Sequence, residues 1–210
     1  MKTAMRGLSL ALLLVIPAAL QGQAQMSATY ITKEQVDAVN ALPGVDRQII
    51  STDIGKLNLA VGIIHRGATP AAAPTAGAGN PVPAEQACGL APGNVPLSGA
   101  RGIAHNHQTE TYIIVSGAGT LVTGGQIVNG RASAPESAVT TTLNGPSCSG
   151  AIGGEGVVTR EVKVGDIIII PATVPHGWLA ISDHVDYLSV RPDPDRVLPD
   201  DYVHPEIEIN

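Results

Sequence analysis

Along the 210-residue chain, apolar positions come in short runs broken by glycine rather than in long runs of helical period. Downstream of residue 103 the breaks are regular. Strands are predicted at 110–116, 119–123, 126–132, 157–164, 167–170, 176–181 and 184–191, with Gly117, Gly124, Gly125, Gly165 and Asp183 marking the turns. Two more strands are expected upstream, at 46–52 and 57–65, the second bounded by Gly55 and Gly67. Thr32-Lys-Glu-Gln35 has the pattern of a capping box, with Thr at the N-cap and Gln three residues on. It opens a short helix through about Leu42, which Pro43-Gly44 ends. Residues 67–100 are low in complexity, rich in Ala, Pro and Gly, and read as a long surface excursion. Residues 133–156 form a second insertion rich in Ser, Thr and Gly, and the tail from Pro192 has no clear periodicity. Many short strands at this spacing predict an all-β sandwich or barrel.

The first 24 residues read as a secretory signal. Lys2 and Arg6 give a positive start, Gly7 to Leu20 an apolar stretch, and Gly22-Gln23-Ala24 a small-residue cleavage site. The apolar stretch is short for a membrane span, which needs about 20 residues. The expected product is an exported protein, secreted or periplasmic, with no membrane attachment after cleavage. The division then runs 1–24 signal, 25–100 N-terminal helix, strands and loop packed on a barrel, 101–191 barrel core, and 192–210 tail.

Composition narrows the function classes. Charged residues are 14% and the net charge is −6, with no basic cluster longer than a dipeptide. Phosphate neutralisation therefore has no basis, and with Phe absent there is no stacking platform, so nucleic acid is excluded as a partner. Cys88 and Cys148 are the two cysteines, both among Gly, Pro, Ser and Ala. In an oxidising compartment they are expected to pair, closing a loop of about 60 residues. Free thiols or a thiolate metal site are the alternatives.

Six histidines carry the candidate chemistry. In extended chain, residues i and i+2 point to one side, so His105 and His107 can present two imidazoles to one point. Glu110 is off that parity and needs a turn to bring it in. If Glu110 faces inward, Tyr112 does too. His176 lies about 70 residues later, after Ile167–Ile170 and Pro171. Imidazoles and a carboxylate together suit zinc, iron, copper, nickel or manganese.

His105-Asn-His107-Gln-Thr-Glu110 with Gly117, and Gly165-(x5)-Pro171-(x4)-His176, resemble the two motifs of the cupin superfamily. The resemblance spans about residues 101–190. It implies a cupin-type jelly-roll β-barrel holding one divalent transition metal ion on His105, His107, Glu110 and His176. Three departures stand out. The step from His107 to Glu110 is one residue shorter than the commonest pattern, Thr173 stands where the second motif usually has Gly, and Ala180 where an Asn often follows.

Tyr112 and Trp178 are weaker candidates as pocket residues, with wall or core packing as the alternative. Gln108 is a further ligand if the turn is tight, and solvent-exposed otherwise. His65 is expected at the surface, with an approach to the barrel mouth as the alternative, His204 at the surface, and His184 in a structural hydrogen bond. Such a site suits a dioxygenase-like oxidoreductase acting on a small organic substrate. A non-catalytic metal- or metabolite-binding protein and a metal-dependent lyase or isomerase are the alternatives. Strand edges in small jelly rolls are commonly covered by association, so a homodimer is expected.

Overall fold

The computed structural model describes residues 28–71 and 79–209, so the expected signal segment lies outside the described residues. One α-helix, α1 (Lys33–Asn40), starts where the capping box places it. Thr32 Oγ1 accepts from the Gln35 amide at 3.3 Å, and Gln35 Oε1 accepts from the Thr32 amide at 2.7 Å. Two of the helix's unpaired amide donors are thereby satisfied.

The rest is antiparallel sheet. The upstream strands are β1 (Asp46–Asp53), β2 (Asn58–Thr69), β3 (Ala87–Cys88) and β4 (Leu97–His105). The motif region holds β5 (Glu110–Thr123), β6 (Gln126–Ala132), β7 (Ser147–Gly153), β8 (Val158–Lys163), β9 (Ile167–Ile170) and β10 (His176–Asp193). A last strand, β11 (Asp201–Val203), pairs with β1. The two long strands, β5 and β10, pair with each other and pass through both halves of a jelly-roll barrel. In one half they are flanked by β9 and β2, in the other by β8 and β4.

The barrel interior is an apolar cluster that includes Ile64, Tyr112, Ile114, Leu121, Ile170 and Tyr187. Outside it, Val39 and Val36 of α1 pack with Ile49, Ile63 and Ile207, so one face of the sheet is covered by the helix and the tail. β2 runs beside β10 from Asn58↔Asp193 to Thr69↔Ile181. β2 is therefore hydrogen-bonded into the same sheet as β10.

Several sequence expectations are corrected here. The strands expected at 110–116 and 119–123 are one strand, and so are 176–181 and 184–191. Gly117 is not a turn. A Cβ there would lie 2.0 Å from the His184 carbonyl oxygen, so glycine lets the two long strands close on each other where β10 bulges. The insertion 133–156 contains β7, which pairs with both β4 and β6. The end of the 67–100 excursion forms β3 and β4, and the tail adds β11. The disulfide Cys88–Cys148 is present and ties β3 to β7.

Candidate metal centre

β4 ends at His105 and β5 begins at Glu110. The residues between them form a bend, and the Asn106 amide donates to the Pro146 carbonyl at 2.9 Å. This bend turns Glu110 inward, onto the same parity as Tyr112 and Ile114, all three of them buried. His176 opens β10 and faces them. His105 Nε2 lies 3.1 Å from Glu110 Oε2, and His176 Nε2 lies 3.0 Å from the same oxygen. Among the described residues, His105, Glu110 and His176 form a buried group with the geometry to hold a metal ion.

His107 is not in this group. The parity argument needs extended chain through 107, and the strand ends at 105. His107 turns outward with its side chain 54% exposed, and its Nδ1 lies 2.6 Å from Asp195 Oδ2. The site that was expected to hold four protein ligands gathers three of them. Gln108, in contrast, is buried, and neither of its amide atoms has a hydrogen-bond partner among the described residues.

The hydrogen-bond network fixes which imidazole nitrogens are free. Ser147 Oγ donates to the Gly145 carbonyl at 2.9 Å, so it accepts from His105 Nδ1 at 2.8 Å. His176 Nδ1 faces the Val174 carbonyl at 3.0 Å, which only accepts. Each neutral ring therefore turns a bare Nε2 lone pair toward the carboxylate. Burial pushes the His105 imidazole below its ordinary value, although Glu110 opposes this, so its charged form is disfavoured. Complete burial pushes the Glu110 carboxyl up, but the Arg191 guanidinium opposes this and holds it below the usual carboxylate range. Three lone-pair donors thus converge with no proton between them. A cation resolves that conflict, and the donor set of two imidazoles and one carboxylate suits a transition metal.

The other carboxylate oxygen is held by the protein. Glu110 Oε1 accepts from Asn144 Nδ2 at 2.9 Å, Ser189 Oγ at 2.8 Å and Arg191 Nε at 2.9 Å. Arg191 is fully buried and also binds Asp46 Oδ2 at 2.6 Å and Gln48 Oε1 at 3.1 Å. Such outer partners orient a ligand and tune its basicity. Tyr112 OH donates to Glu110 Oε2 at 3.0 Å. Burial, reinforced by the Glu110 charge, raises the Tyr112 phenol well above its ordinary value, so it stays a donor. Trp178 packs against Tyr187, with its Nε1 donating to the Tyr187 hydroxyl at 3.3 Å.

The sequence reading missed Arg191, Ser189, Asn144 and Ser147. The signal for two of them was the parity Tyr187, Ser189, Arg191, which places polar residues at regular steps on a predicted strand. His184 does make a structural hydrogen bond, between Asp183 Oδ2 at 2.6 Å and Ser116 Oγ at 2.8 Å. His65 is half-exposed against Asp186, 2.6 Å away.

A cavity of about 680 Å³ reaches Tyr112, His176 and Trp178 from the surface. A second, of about 730 Å³, lies by Ala118, Lys163 and Ala180 and carries none of these side chains.

No protein-family model matches the chain. No curated protein matches it either. Solved structures do resemble it in backbone. An uncharacterized conserved protein with a double-stranded beta-helix domain from Klebsiella pneumoniae is 15% identical. The match covers 77% of this chain and 88% of that one, with a TM-score of 0.36. The protein BH2720 from Bacillus halodurans is 13% identical over 86% of this chain and 92% of that one, with a TM-score of 0.40. The Cnp3 cupin domain of Schizosaccharomyces pombe is 10% identical over 74% and 66%, with a TM-score of 0.33. Within this chain itself, both motif segments meet inside one antiparallel barrel, at the ends of β4, β5 and β10. The fold is an antiparallel jelly-roll barrel. At such identities no activity passes from those proteins to this chain.

Proposed function

We propose that this protein is an exported cupin-type metalloenzyme with dioxygenase-like oxidoreductase chemistry toward a small organic substrate. The observation that carries the reading is the convergence of two bare Nε2 lone pairs and an ionised carboxylate oxygen in a buried site. Two histidines and one carboxylate suit a redox-active divalent metal such as iron, which would supply dioxygen chemistry beside a substrate. His105, Glu110 and His176 would hold it, and Gln108, with its unpaired buried amide, is the further oxygen donor we assign to it. Ser147 and Val174 keep both Nδ1 protons in place, and Arg191 keeps Glu110 ionised. Burial of the three side chains keeps most water off them. Tyr112 stays protonated, so the site lacks an obvious general base, which favours redox chemistry over proton abstraction. Export is supported by the apolar N-terminal segment and by the disulfide.

Elemental analysis of protein purified from its native compartment tests this, with His176→Ala beside it. The expected result is about one iron, copper or manganese per chain in wild type and less than about a tenth of that in the variant. Oxygen uptake with candidate phenols, enols and sugars then follows turnover. Zinc as the native metal would turn the reading to a lyase or isomerase. Equal trace metal in both proteins would end it.

A further inference from the structure

The cavity that reaches the candidate centre has an uneven charge. Arg66 and Arg101 line it, and no Asp or Glu does. The chain as a whole is at −6, so this is a local reversal of sign rather than part of a basic surface. Among the described residues neither arginine forms an ion pair. Asp46, the acidic group whose charge acts on Arg66, is itself engaged by Arg191 at 2.6 Å. Arg66 is also positioned. Its Nε donates to Tyr187 OH at 3.1 Å, and the same oxygen accepts from Trp178 Nε1 at 3.3 Å. That leaves the two terminal guanidinium nitrogens without a hydrogen-bond partner among the described residues, on a wall otherwise made of residues such as Val45, Ile103, Ile181 and Trp178. A guanidinium fork matches a planar or tetrahedral oxyanion through two parallel hydrogen bonds.

We infer that the substrate is a small organic acid whose anionic group is received by Arg66, with Arg101 nearby, while its body extends along the cavity toward His176 and Tyr112. This rests on the proposed function for the reaction, but not for the binding. The cavity is of a size usual for small-molecule sites. Carboxylates and phosphate monoesters share the required chemistry.

Trp178 is the one tryptophan of the chain and hydrogen-bonds the same phenol as Arg66, so its fluorescence reports on this site. Benzoate, phenyl phosphate and uncharged benzyl alcohol are titrated into the full protein, both as purified and after chelation, following Trp178 emission and heat. At least one of the two anions is expected to bind tenfold or more tighter than benzyl alcohol, and the tighter one names the head group. Arg66→Gln is expected to weaken that anion by tenfold or more, Arg101→Gln by about threefold, and Arg66→Lys to restore part of the loss. Metal content in all three variants is expected to equal that of wild type. Equal binding of anions and alcohol, no binding of either anion, or full affinity in Arg66→Gln would overturn the inference. Anion binding that persists in His176→Ala or in chelated protein supports the site even if the metal reading fails.

Discussion

Glu110 carries a full charge inside the barrel, and Arg191 is what makes that tolerable. Both are buried, and the pair is held at 2.9 Å with further bonds on each partner. Arg191→Leu would leave an uncompensated carboxylate, a loss of roughly 3–5 kcal/mol. Urea unfolding of the variant reads this directly, and a loss under about 1 kcal/mol would mean that Glu110 draws its compensation elsewhere. Acid titration acts on the same site in two windows. The folded pKa of His105 lies below its unfolded value, so its contribution is complete above about pH 6.5 and is lost as pH falls through the lower folded value. Glu110 is depressed likewise, and its contribution is lost at lower pH still, beneath the ordinary carboxylate range. Unfolding free energies at several pH values are therefore expected to fall on acidification in wild type, and more shallowly near pH 6 in His105→Phe. Thr173 shows the reverse case, a residue at odds with its backbone. Its φ is +68°, where a β-branched side chain is strained, and its amide donates to the His105 carbonyl at 2.7 Å. The left-handed conformation costs about 1–2 kcal/mol and the added freedom of glycine about 0.5–1 kcal/mol. Thr173→Gly keeps the amide and the exposed side chain packs little, so a gain of up to about 1 kcal/mol is expected in thermal unfolding. A loss of stability would show that the hydroxyl or methyl has a partner in the folded protein.

At the level of strands, the crossing of β4 and β10 sets the position of His176. These strands meet at His176↔Ile103. A Cβ on Gly102 would lie 2.1 Å from the His176 carbonyl oxygen, and one on Gly177 would lie 2.1 Å from that of Arg101. Backbone cannot yield there as a flexible side chain would, so Gly177→Ala is expected to cost about 1–3 kcal/mol and to lower metal content with it. Calorimetry and elemental analysis of the same sample check both, and unchanged metal in a destabilised variant would separate the crossing from the site. The same strands explain what the sequence could and could not reveal. Periodicity located β1, β6, β8 and β9 closely, because each is bounded by Gly, Pro or polar residues, but it ended β2 four residues early, before a Gly67 that the strand runs through. It split β5 and β10, since Gly117 and Asp183 look like turns but sit at a close crossing and a bulge. It passed over β7, whose Ser, Gly and Ala resemble a loop. Those small residues are what a strand needs where Gly150 packs against Gly130. On β10, Ser189 and Arg191 share the inward parity of Val185 and Tyr187. Leu188 packs in the cluster beneath α1, and Ser189 and Arg191 face Glu110. His107 failed for another reason. A two-residue period holds only while the strand lasts, and β4 stops at His105.

Across the whole molecule, the disulfide joins two parts that the metal site does not. Cys88 belongs to a segment with little apolar burial, and Cys148 to a strand at the heart of the sheet. Closing a loop of about 60 residues restricts the unfolded chain by roughly 3–5 kcal/mol. For a chain of this size each kcal/mol moves Tm by about 2–4 °C, so Cys88→Ser with Cys148→Ser is expected to lower it by about 6–20 °C. The metal site is expected to survive that change at room temperature. Ser147, which holds the His105 ring, is the direct neighbour of Cys148, but its place is fixed by the β4–β7 ladder, where it pairs with His105 itself. The amide of Ser147 is held as well, by Ser133 Oγ at 3.0 Å. Two measurements on one double variant therefore separate the two roles. A lower Tm with wild-type metal content means that the disulfide stabilises the fold and the ladder alone positions the ligands. Loss of metal below the unfolding transition would mean that the cross-link, through Ser147, sets the orientation of His105.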